Sequence, residues 1–283
     1  MFTLNCKGKL LSLQYPVVMG ILNATPDSFY EGHLEKGLQA IVQHAGRMIA
    51  EGAAIIDVGG QSTRPGSERI GAAEETQRVL PVIEAIREMF PYTIISIDTY
   101  HSKVAGAAVE AGAHIVNDIS SGMLDEEMIA TVASFKNVPY ICMHMKGRPE
   151  NMQQHAQYDD LLKEVLSFFV QKQEACRVAG IQDVIIDPGF GFAKTAEHNL
   201  SLLRNLAMFE ILERPILVGL SRKATIYKTL GITAAEALNG TTVLNTIALM
   251  NGANILRVHD VKEAREAVEL LKVYNKASAQ PDL

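Results

Sequence analysis

Short, continuous runs of apolar residues recur along the chain, and stretches with helical spacing separate them. The runs do not alternate apolar with polar residues, so strands formed from them would be buried on both faces, which is typical of parallel sheets. Eight runs are present, at residues 17–22, 53–58, 93–97, 114–116, 138–144, 184–187, 215–219 and 254–259. Eight strand–helix units in 283 residues predict a closed (β/α)8 barrel, with an open doubly wound α/β sheet as the alternative.

The segments between these runs show the spacing of amphipathic helices. In one of them, Val79, Ile83 and Ile86 follow the i, i+4, i+7 pattern of a single apolar stripe. Helices are predicted for residues 33–51, 72–90, 102–111, 126–134, 158–179, 196–212, 234–251 and 261–277. Residues 2–13 alternate loosely around Gly8 and predict a short N-terminal β-hairpin over one end of the core. No change in composition marks a linker, so we expect a single domain over residues 1–283.

The composition argues against several classes of protein. A net charge of -6 and a pI of about 5.8 disfavour a nucleic-acid-binding surface, which needs a basic stripe. No apolar run reaches the roughly 18 residues of a membrane span. The first residues lack the basic and apolar segments of a secretory signal, so a cytoplasmic location is expected. Cys6, Cys142 and Cys176 form no C-x-x-C pair and predict neither a disulfide framework nor a zinc site.

Polar residues follow most of the predicted strands. In a parallel barrel the active site lies where the carboxyl ends of the strands meet, so we expect these side chains to share one rim. They are Asn23, Thr63, Arg64, Asp98, Asn117, His144, Asp187, Lys223, Arg257 and His259.

Asp187 ends an aliphatic run and is followed at once by Pro188 and Gly189. A carboxylate at a buried strand end needs a partner, because its desolvation alone costs several kcal/mol. Together with Asp98 and Asn117 it could bind a flat heterocycle, since one carboxylate accepts a forked pair from an amino group and the neighbouring ring N–H. Alternatively, each of the three side chains caps the helix that follows it.

Cationic residues follow the last two strands. Arg257 and His259 are alternate residues whose side chains leave on one face, and with Arg64 they could bind a phosphate or diphosphate. The alternative is an ion pair between Arg257 and a neighbouring acid, with His259 capping a helix. Lys223 could donate to a ring carbonyl or nitrogen, form an imine as in aldolases, or be a solvated surface lysine.

Two other patterns are weak. Gly189-Phe190-Gly191 begins like a dinucleotide-binding fingerprint, but Lys194 stands in place of the third glycine. Cys142 and His144 share a strand face, yet nothing nearby completes a set of three or four metal ligands. We interpret both patterns as packing features.

Several motifs resemble the signatures of one enzyme family. The segment MGILNATPDSF at residues 19–29 resembles the first signature of the dihydropteroate synthases, and IDVGGQSTRPG at residues 56–66 resembles the second. The remaining blocks, at residues 96–99, 116–118, 187–194, 221–223 and 257–261, follow in the order of the family. The resemblance extends from Val17 to Val261 and identifies the chain as a member of this pterin-binding family.

The resemblance implies an activity in folate biosynthesis. A 6-hydroxymethyl-7,8-dihydropterin diphosphate would condense with para-aminobenzoate to give 7,8-dihydropteroate and diphosphate. An SN1-like displacement is reasonable, because an electron-rich pterin can carry positive charge on its CH2 group while diphosphate departs. The family also implies Mg2+ as cofactor, a homodimer in the cytoplasm, and a target of sulfonamides.

The resemblance further assigns roles to individual residues of this chain. The pterin would be held by Asp98, Asn117, Met143, Asp187, Lys223 and Arg257. The diphosphate would be bound by Asn23, Thr63, Arg64, Arg257 and His259, with Asn23 also a magnesium ligand. The aminobenzoate would contact Phe29, Thr63, Pro65, Phe192 and Lys223. The catalytic group would comprise Asp98, Lys223, Arg257 and His259.

Two positions depart from the family pattern. Tyr30-Glu31-Gly32-His33 replaces the usual Ser-Asp-Gly-Gly, and Ala224 replaces a serine whose hydroxyl the family suggests as a contact of the aminobenzoate carboxylate. Losing one hydrogen bond to a charged group costs about 1.5–3 kcal/mol, so we expect backbone N–H groups at a helix N-terminus to replace it. The alternative functions are methyl transfer from methyltetrahydrofolate to a corrinoid protein, non-catalytic pterin binding, and a Schiff-base aldolase that uses Lys223.

Overall fold

A small antiparallel hairpin precedes the main sheet. The computed structural model of the chain describes residues 1–24, 34–61 and 69–277. Strands β1 (Thr3–Cys6) and β2 (Lys9–Ser12) pair around Lys7 and Gly8, whose φ angles are 52° and 92°. The inner face of the hairpin packs against residues at or near the start of the later strands, such as Ile55 and Ile255. The hairpin therefore covers the amino end of the core, as predicted.

The eight remaining strands form one parallel barrel. They are β3 (Val17–Asn23), β4 (Ile55–Gly59), β5 (Ile94–Asp98), β6 (Ile115–Asp118), β7 (Tyr140–Met143), β8 (Val184–Asp187), β9 (Leu217–Val218) and β10 (Ile255–Val258). Their order is β8-β7-β6-β5-β4-β3-β10-β9. A parallel bridge from Ile186 to Ile216 joins the two edges, and the Ile186 N–H donates to the Pro215 carbonyl at 3.0 Å. The closed barrel is thus confirmed and the open sheet is excluded.

Helices surround the barrel. They are α1 (Leu34–Ala50), α2 (Ala72–Met89), α3 (Ser102–Ala111), α4 (Met128–Ser134), α5 (Leu161–Ala179), α6 (Ala196–Arg204), α7 (Ala224–Leu230), α8 (Leu238–Met250) and α9 (Val261–Ala277), with 3-10 helices at Met152–His155 and Leu206–Leu212. The predicted stripe of Val79, Ile83 and Ile86 is fully buried on α2. Within the described residues, no helix is long and apolar enough to cross a membrane.

The helices differ most from the prediction in two segments, while α4 and α5 begin two and three residues later than predicted, at Met128 and Leu161. The single helix expected over residues 196–212 is two elements, because α6 ends at the Asn205 cap and a 3-10 helix follows. The predicted helix at 234–251 begins only at Leu238, while α7 was not predicted as a separate helix. Helix α7 has seven residues and spans barely two turns, which is too short for a recognisable repeat of apolar residues.

The three cysteines are buried free thiols, as expected. Cys142 lies on β7 and Cys176 on α5, with their sulfur atoms 4.0 Å apart. Both side chains belong to the main apolar core between the barrel and its helices. Their role is packing, which agrees with the interpretation of Cys142 from the sequence.

Candidate active site

The carboxyl ends of neighbouring strands place the predicted polar residues side by side. Asn23 on β3 pairs with Gly59 on β4, which pairs with Asp98 on β5, and Asp98 in turn pairs with Asn117 on β6. Farther round the barrel, Met143 on β7 pairs with Asp187 on β8. The shared rim expected from the sequence therefore exists for these residues.

Arg257 is the centre of a buried ionic cluster. Its Nε donates to Oδ2 of Asp57 at 2.6 Å, and its Nη2 donates to Oδ2 of Asp98 at 2.5 Å. The same Oδ2 of Asp57 accepts from Nδ2 of Asn117 at 3.0 Å. Arg257 therefore does form the ion pair that the sequence left as an alternative. Its two partners, Asp57 and Asp98, lie in the same part of the barrel as the other predicted site residues. Burial raises the pKa of Asp98 to about 7, against the lowering effect of the Arg257 guanidinium.

Asp57 is a member of this cluster that the sequence analysis did not single out. It lies inside β4 between Ile56 and Val58, and its side chain is fully buried. Asp98 and Asp187 end their strands, whereas Asp57 lies two residues before the end of β4. The only sequence signal for a role of Asp57 was that an ionisable residue stands within a buried strand, since such a group needs a partner.

None of the three acceptor residues caps the helix that follows it. The N-cap residues of α3, α4 and α6 are His101, Glu127 and Thr195. Asp187 instead accepts the backbone N–H of Gly189 through Oδ1, at 2.8 Å. Burial raises the pKa of Asp187, while the nearby Lys223 ammonium acts in the opposite direction. The capping alternative is thus wrong for all three side chains.

Lys223 is held at the start of α7, beside the loop that follows β8. Its Nζ donates to the backbone carbonyl of Phe190 and lies 4.9 Å from the centroid of the Phe192 ring. Burial lowers the pKa of Lys223 to about 8, and the Asp187 carboxylate opposes this shift. Gly191 leaves room for the lysine stem, because a Cβ there would lie 3.2 Å from Cδ of Lys223. Lys223 is therefore not a solvated surface lysine.

An apolar wall adjoins these polar groups. Met143 and Phe192, both assigned to ligand contacts by resemblance, are buried in one cluster. The other members of the cluster are Tyr100, Ile119, Met145, Met152 and Ala193. A flat ligand on the acceptors Asp98, Asn117 and Asp187 would have an apolar surface available from this cluster.

His144 and Lys194 form a buried pair behind the loop after β8. Lys194 Nζ lies 2.9 Å from Nδ1 of His144 and donates to the Phe192 carbonyl at 3.0 Å. Burial lowers the pKa of His144 to about 2 and that of Lys194 to about 7. The loop packs closely here, since a Cβ on Gly189 would lie 2.0 Å from the His144 carbonyl oxygen. His144 is thus a packing residue, as interpreted, and Lys194 anchors the loop that carries Phe192.

Replacing Lys194 by Met is expected to change how stability depends on pH. A lysine pKa lowered from 10.5 to about 7 by folding means that the unfolded state binds more protons between these values. The destabilisation that results from burying the charged Lys194 is complete below pH 7 and disappears as the pH rises towards 10.5. Denaturant unfolding across this range should show a smaller rise of stability with pH in Lys194→Met. Parallel curves for the variant and the wild type would contradict the assignment.

The loops after β9 and β10 are tied together by hydrogen bonds. Ser221 Oγ lies 2.9 Å from Nδ1 of His259 and also accepts the His259 backbone N–H at 3.2 Å. Arg222 makes two hydrogen bonds of 2.8 Å to the carboxylate of Asp260. These contacts fix the turn before Lys223 and the segment that follows Arg257.

Some predicted site residues lie outside the described residues. They are Phe29, Thr63, Arg64 and Pro65, together with the departure from the family pattern at residues 30–33.

The donor set fits a magnesium ion held mainly by a substrate. No group of three or more His, Cys, Asp or Glu side chains in residues 1–24, 34–61 and 69–277 could hold a metal ion. Asn23, however, ends β3 at the rim with its side chain exposed, and it supplies an amide oxygen. Mg2+ commonly takes one or two protein oxygens, with waters and substrate phosphates completing the shell. The rim therefore suits such an ion only together with a phosphorylated ligand.

Known proteins are similar to this chain in both sequence and fold. A family model described as pterin binding enzyme matches residues 19–259. The dihydropteroate synthase of Escherichia coli (strain K12) is 46% identical over 268 residues, covering 94% of each chain. The crystal structure of the Yersinia pestis dihydropteroate synthase with a sulfonamide drug has a TM-score of 0.91 at 41% identity, covering 97% of this chain and 100% of that one. The Xanthomonas albilineans dihydropteroate synthase with 4-aminobenzoic acid has a TM-score of 0.89 at 38% identity, covering 99% of each chain. The chain therefore belongs to the pterin-binding enzyme family, among the dihydropteroate synthases.

Proposed function

We propose that this chain condenses 6-hydroxymethyl-7,8-dihydropterin diphosphate with para-aminobenzoate, giving 7,8-dihydropteroate and diphosphate. One observation carries the assignment to this substrate. Asp98 Oδ1, Asn117 Oδ1 and Asp187 Oδ2 accept no hydrogen bond from the described residues, and none of them is a fully buried atom without a partner. Three open acceptors at one rim, with the Lys223 ammonium as donor, complement a pterin edge that presents an amino group, ring N–H groups and a carbonyl.

The same groups account for the proposed displacement. The bond between the pterin CH2 group and the diphosphate oxygen breaks first, and both bonding electrons leave with the diphosphate. The amine nitrogen of aminobenzoate then forms the C–N bond and releases a proton. Asp98, Asn117 and Asp187 hold the ring, which carries the developing positive charge, while Arg257 and His259 are proposed to bind the leaving group. Catalysis is then mostly positioning and electrostatics, without a covalent protein intermediate.

Mg2+ is part of this proposal. Asn23 would supply its protein oxygen, with diphosphate oxygens and water as the other ligands. When bound, the ion would neutralise charge on the departing diphosphate. Its support is the position of Asn23, an exposed residue at the carboxyl end of β3.

An assay of diphosphate release tests the proposal. Purified protein should release diphosphate from the pterin substrate only when aminobenzoate and Mg2+ are both present, and EDTA should abolish the release. Equal release without aminobenzoate would indicate hydrolysis instead. Absence of release, together with methyl transfer from methyltetrahydrofolate to a corrinoid protein, would favour the methyltransferase alternative. None of the three relatives compared above is named for that activity or for an aldolase.

The aminobenzoate side of the pocket is proposed from Phe192, Lys223 and the start of α7. Ala224 is the first residue of that helix, so backbone N–H groups there could bind the carboxylate in place of a hydroxyl. The Yersinia pestis relative was crystallised with a sulfonamide drug, which supports the proposal that sulfonamides compete with aminobenzoate here.

We further propose a homodimer formed by the outer faces of α8 and α9. Val243, Ile247 and Met250 on α8 are exposed at helical spacing, as are Leu270 and Val273 on α9. Val243→Lys should convert a particle of about twice 30.9 kDa into a monomer, because a charge at an apolar interface is costly to desolvate. Light scattering after gel filtration measures this. Tyr92→Lys, at an exposed tyrosine after α2, is the control; a monomeric wild type would refute the proposal.

A cytoplasmic location is proposed from the thiols. Cys6, Cys142 and Cys176 are free, and reducing compartments keep cysteines in this state.

A further inference from the structure

The carboxylate of Asp57 fixes the orientation of the Asn117 amide. Its Oδ2 lies 3.0 Å from the Asn117 side-chain nitrogen. An ionised carboxylate can only accept hydrogen bonds, so the NH2 end of the amide must face it. The reversed amide would place two oxygen atoms at hydrogen-bond distance from each other in a buried site, where such repulsion is poorly screened.

The consequence of this orientation is an open acceptor at residue 117. With one N–H of the amide donating to Asp57, the two ends of the amide cannot exchange, and Oδ1 of Asn117 accepts from none of the described residues. An amide has both donor and acceptor ends, so by itself it would tolerate a donor or an acceptor on the ligand. Paired with Asp57, it holds Oδ1 in one position, so the ligand group opposite that atom must be a donor.

Arg257 supports the same arrangement. Its Nε contact at 2.6 Å supplies the cation that balances Asp57, whose side chain is fully buried. A buried carboxylate without such a partner would be expensive to keep charged. The carboxylate therefore links two proposed pterin-binding side chains through one oxygen atom.

We infer that Asp57 is a specificity-determining positioning residue, which makes the pocket select ligands with an N–H donor opposite Asn117. The inference rests on the proposed function, because it takes the pterin as the ligand. Asp57 itself is not expected to contact the substrate. Its effect is transmitted through the Asn117 amide, which cannot turn while the carboxylate is present.

Binding of two analogues tests this inference. 6-Hydroxymethylpterin carries an amino group at ring position 2, whose two N–H groups are proposed to donate to Asp187 and to Oδ1 of Asn117. 6-Hydroxymethyllumazine carries an oxo group there and an N–H at position 1, so the pair exchanges this donor for an acceptor. The wild type should prefer the pterin. Asp57→Asn should reduce the ratio of the two Kd values by about tenfold or more, because the amide introduced at position 57 can donate to Asn117 and let the Asn117 amide turn. Calorimetry or competition gives both constants on the same protein, so a general loss of folded protein cancels.

A double variant that exchanges the side chains at positions 57 and 117 separates the effect of amide orientation from structural damage. In the double variant Asp57→Asn/Asn117→Asp, the carboxylate at position 117 can only accept and the amide at position 57 donates to it, so the preference for the pterin should return. If Asp57→Asn does not fold, Asn117→Ala, which keeps the Asp57–Arg257 pair, should reduce the preference instead, leaving only the part that Asp187 contributes. Retention of the wild-type ratio in Asp57→Asn or in Asn117→Ala would overturn the inference. Failure of the double variant to restore a lost ratio would also overturn it.

Asp118→Asn is the matched control. Asp118 is equally buried at the end of β6, but it accepts from Tyr140, Ser120 and Gly122 and does not contact Arg257. This variant should lose stability and keep the Kd ratio; an equal change in the ratio would overturn the inference. A wild type that binds neither analogue would refute the proposed function itself, and this inference with it.

Discussion

Asp187→Asn is expected to weaken pterin binding by about 2–5 kcal/mol, which is about 30- to 5,000-fold in Kd. The substitution replaces an acceptor of two hydrogen bonds by a group that is half donor, opposite a ligand edge that only donates. It also removes the negative charge facing the Lys223 ammonium. Calorimetric titration with 6-hydroxymethylpterin measures the effect.

Asp118→Asn serves as the control for this prediction too. Both acids end strands of the barrel, Asp118 at β6 and Asp187 at β8, and both are buried. Both oxygens of Asp118, however, are occupied by hydrogen bonds within the protein. Its replacement should lower the melting temperature without changing pterin affinity. Unchanged pterin affinity in Asp187→Asn would remove Asp187 from its proposed role.

Lys223→Met is expected to lower kcat/KM by about 100- to 1,000-fold, the usual size for loss of one preorganised donor. Methionine preserves packing on Phe192 while it removes the charge near Asp187. The effect should appear in kcat as well as in KM, because this donor is proposed to hold the ring in the position from which the diphosphate departs, and not only to capture the substrate. Steady-state kinetics with both substrates varied separates the two parameters.

Lys172→Met controls for the loss of a partly buried lysine. Lys172 also donates to a backbone carbonyl, that of Ser121, and lies 5.7 Å from the Phe168 ring centroid. It belongs to α5 and is not among the proposed site residues. Its variant should keep wild-type kinetics, and wild-type kinetics in Lys223→Met would contradict the site assignment.

The barrel was predictable from the sequence because its signals are local. Each strand is a short apolar run that ends at a polar residue, and parallel pairing then brings the ends together without further information. Asp98, Asn117 and Asp187 could therefore be placed at one rim from the strand ends alone.

The contacts among these residues were not predictable in the same way. The ion pair between Asp57 and Arg257 spans 200 positions in the chain, and nothing near Asp57 indicates its partner. Lys194 presented the same difficulty, because its role depends on the carbonyl groups of His144 and Phe192. The first pairing follows from the strand order, which brings β4 and β10 to either side of β3, and the second from the fold of the loop after β8.

The prediction of helix boundaries failed for a different reason. The segment at 196–212 keeps its apolar spacing through a change from α-helix to 3-10 helix, so periodicity alone could not locate the break at Asn205. Only the geometry around that residue distinguishes the two elements.

The most direct measurement is identification of the product. Protein incubated with Mg2+, 6-hydroxymethyl-7,8-dihydropterin diphosphate and ring-labelled para-aminobenzoate should yield labelled 7,8-dihydropteroate, detected by mass spectrometry, in step with released diphosphate. Asp187→Asn should yield far less product at the same substrate concentrations. Tight binding of the pterin by the wild type without any dihydropteroate would contradict the account and would indicate a pterin-binding protein without synthase activity.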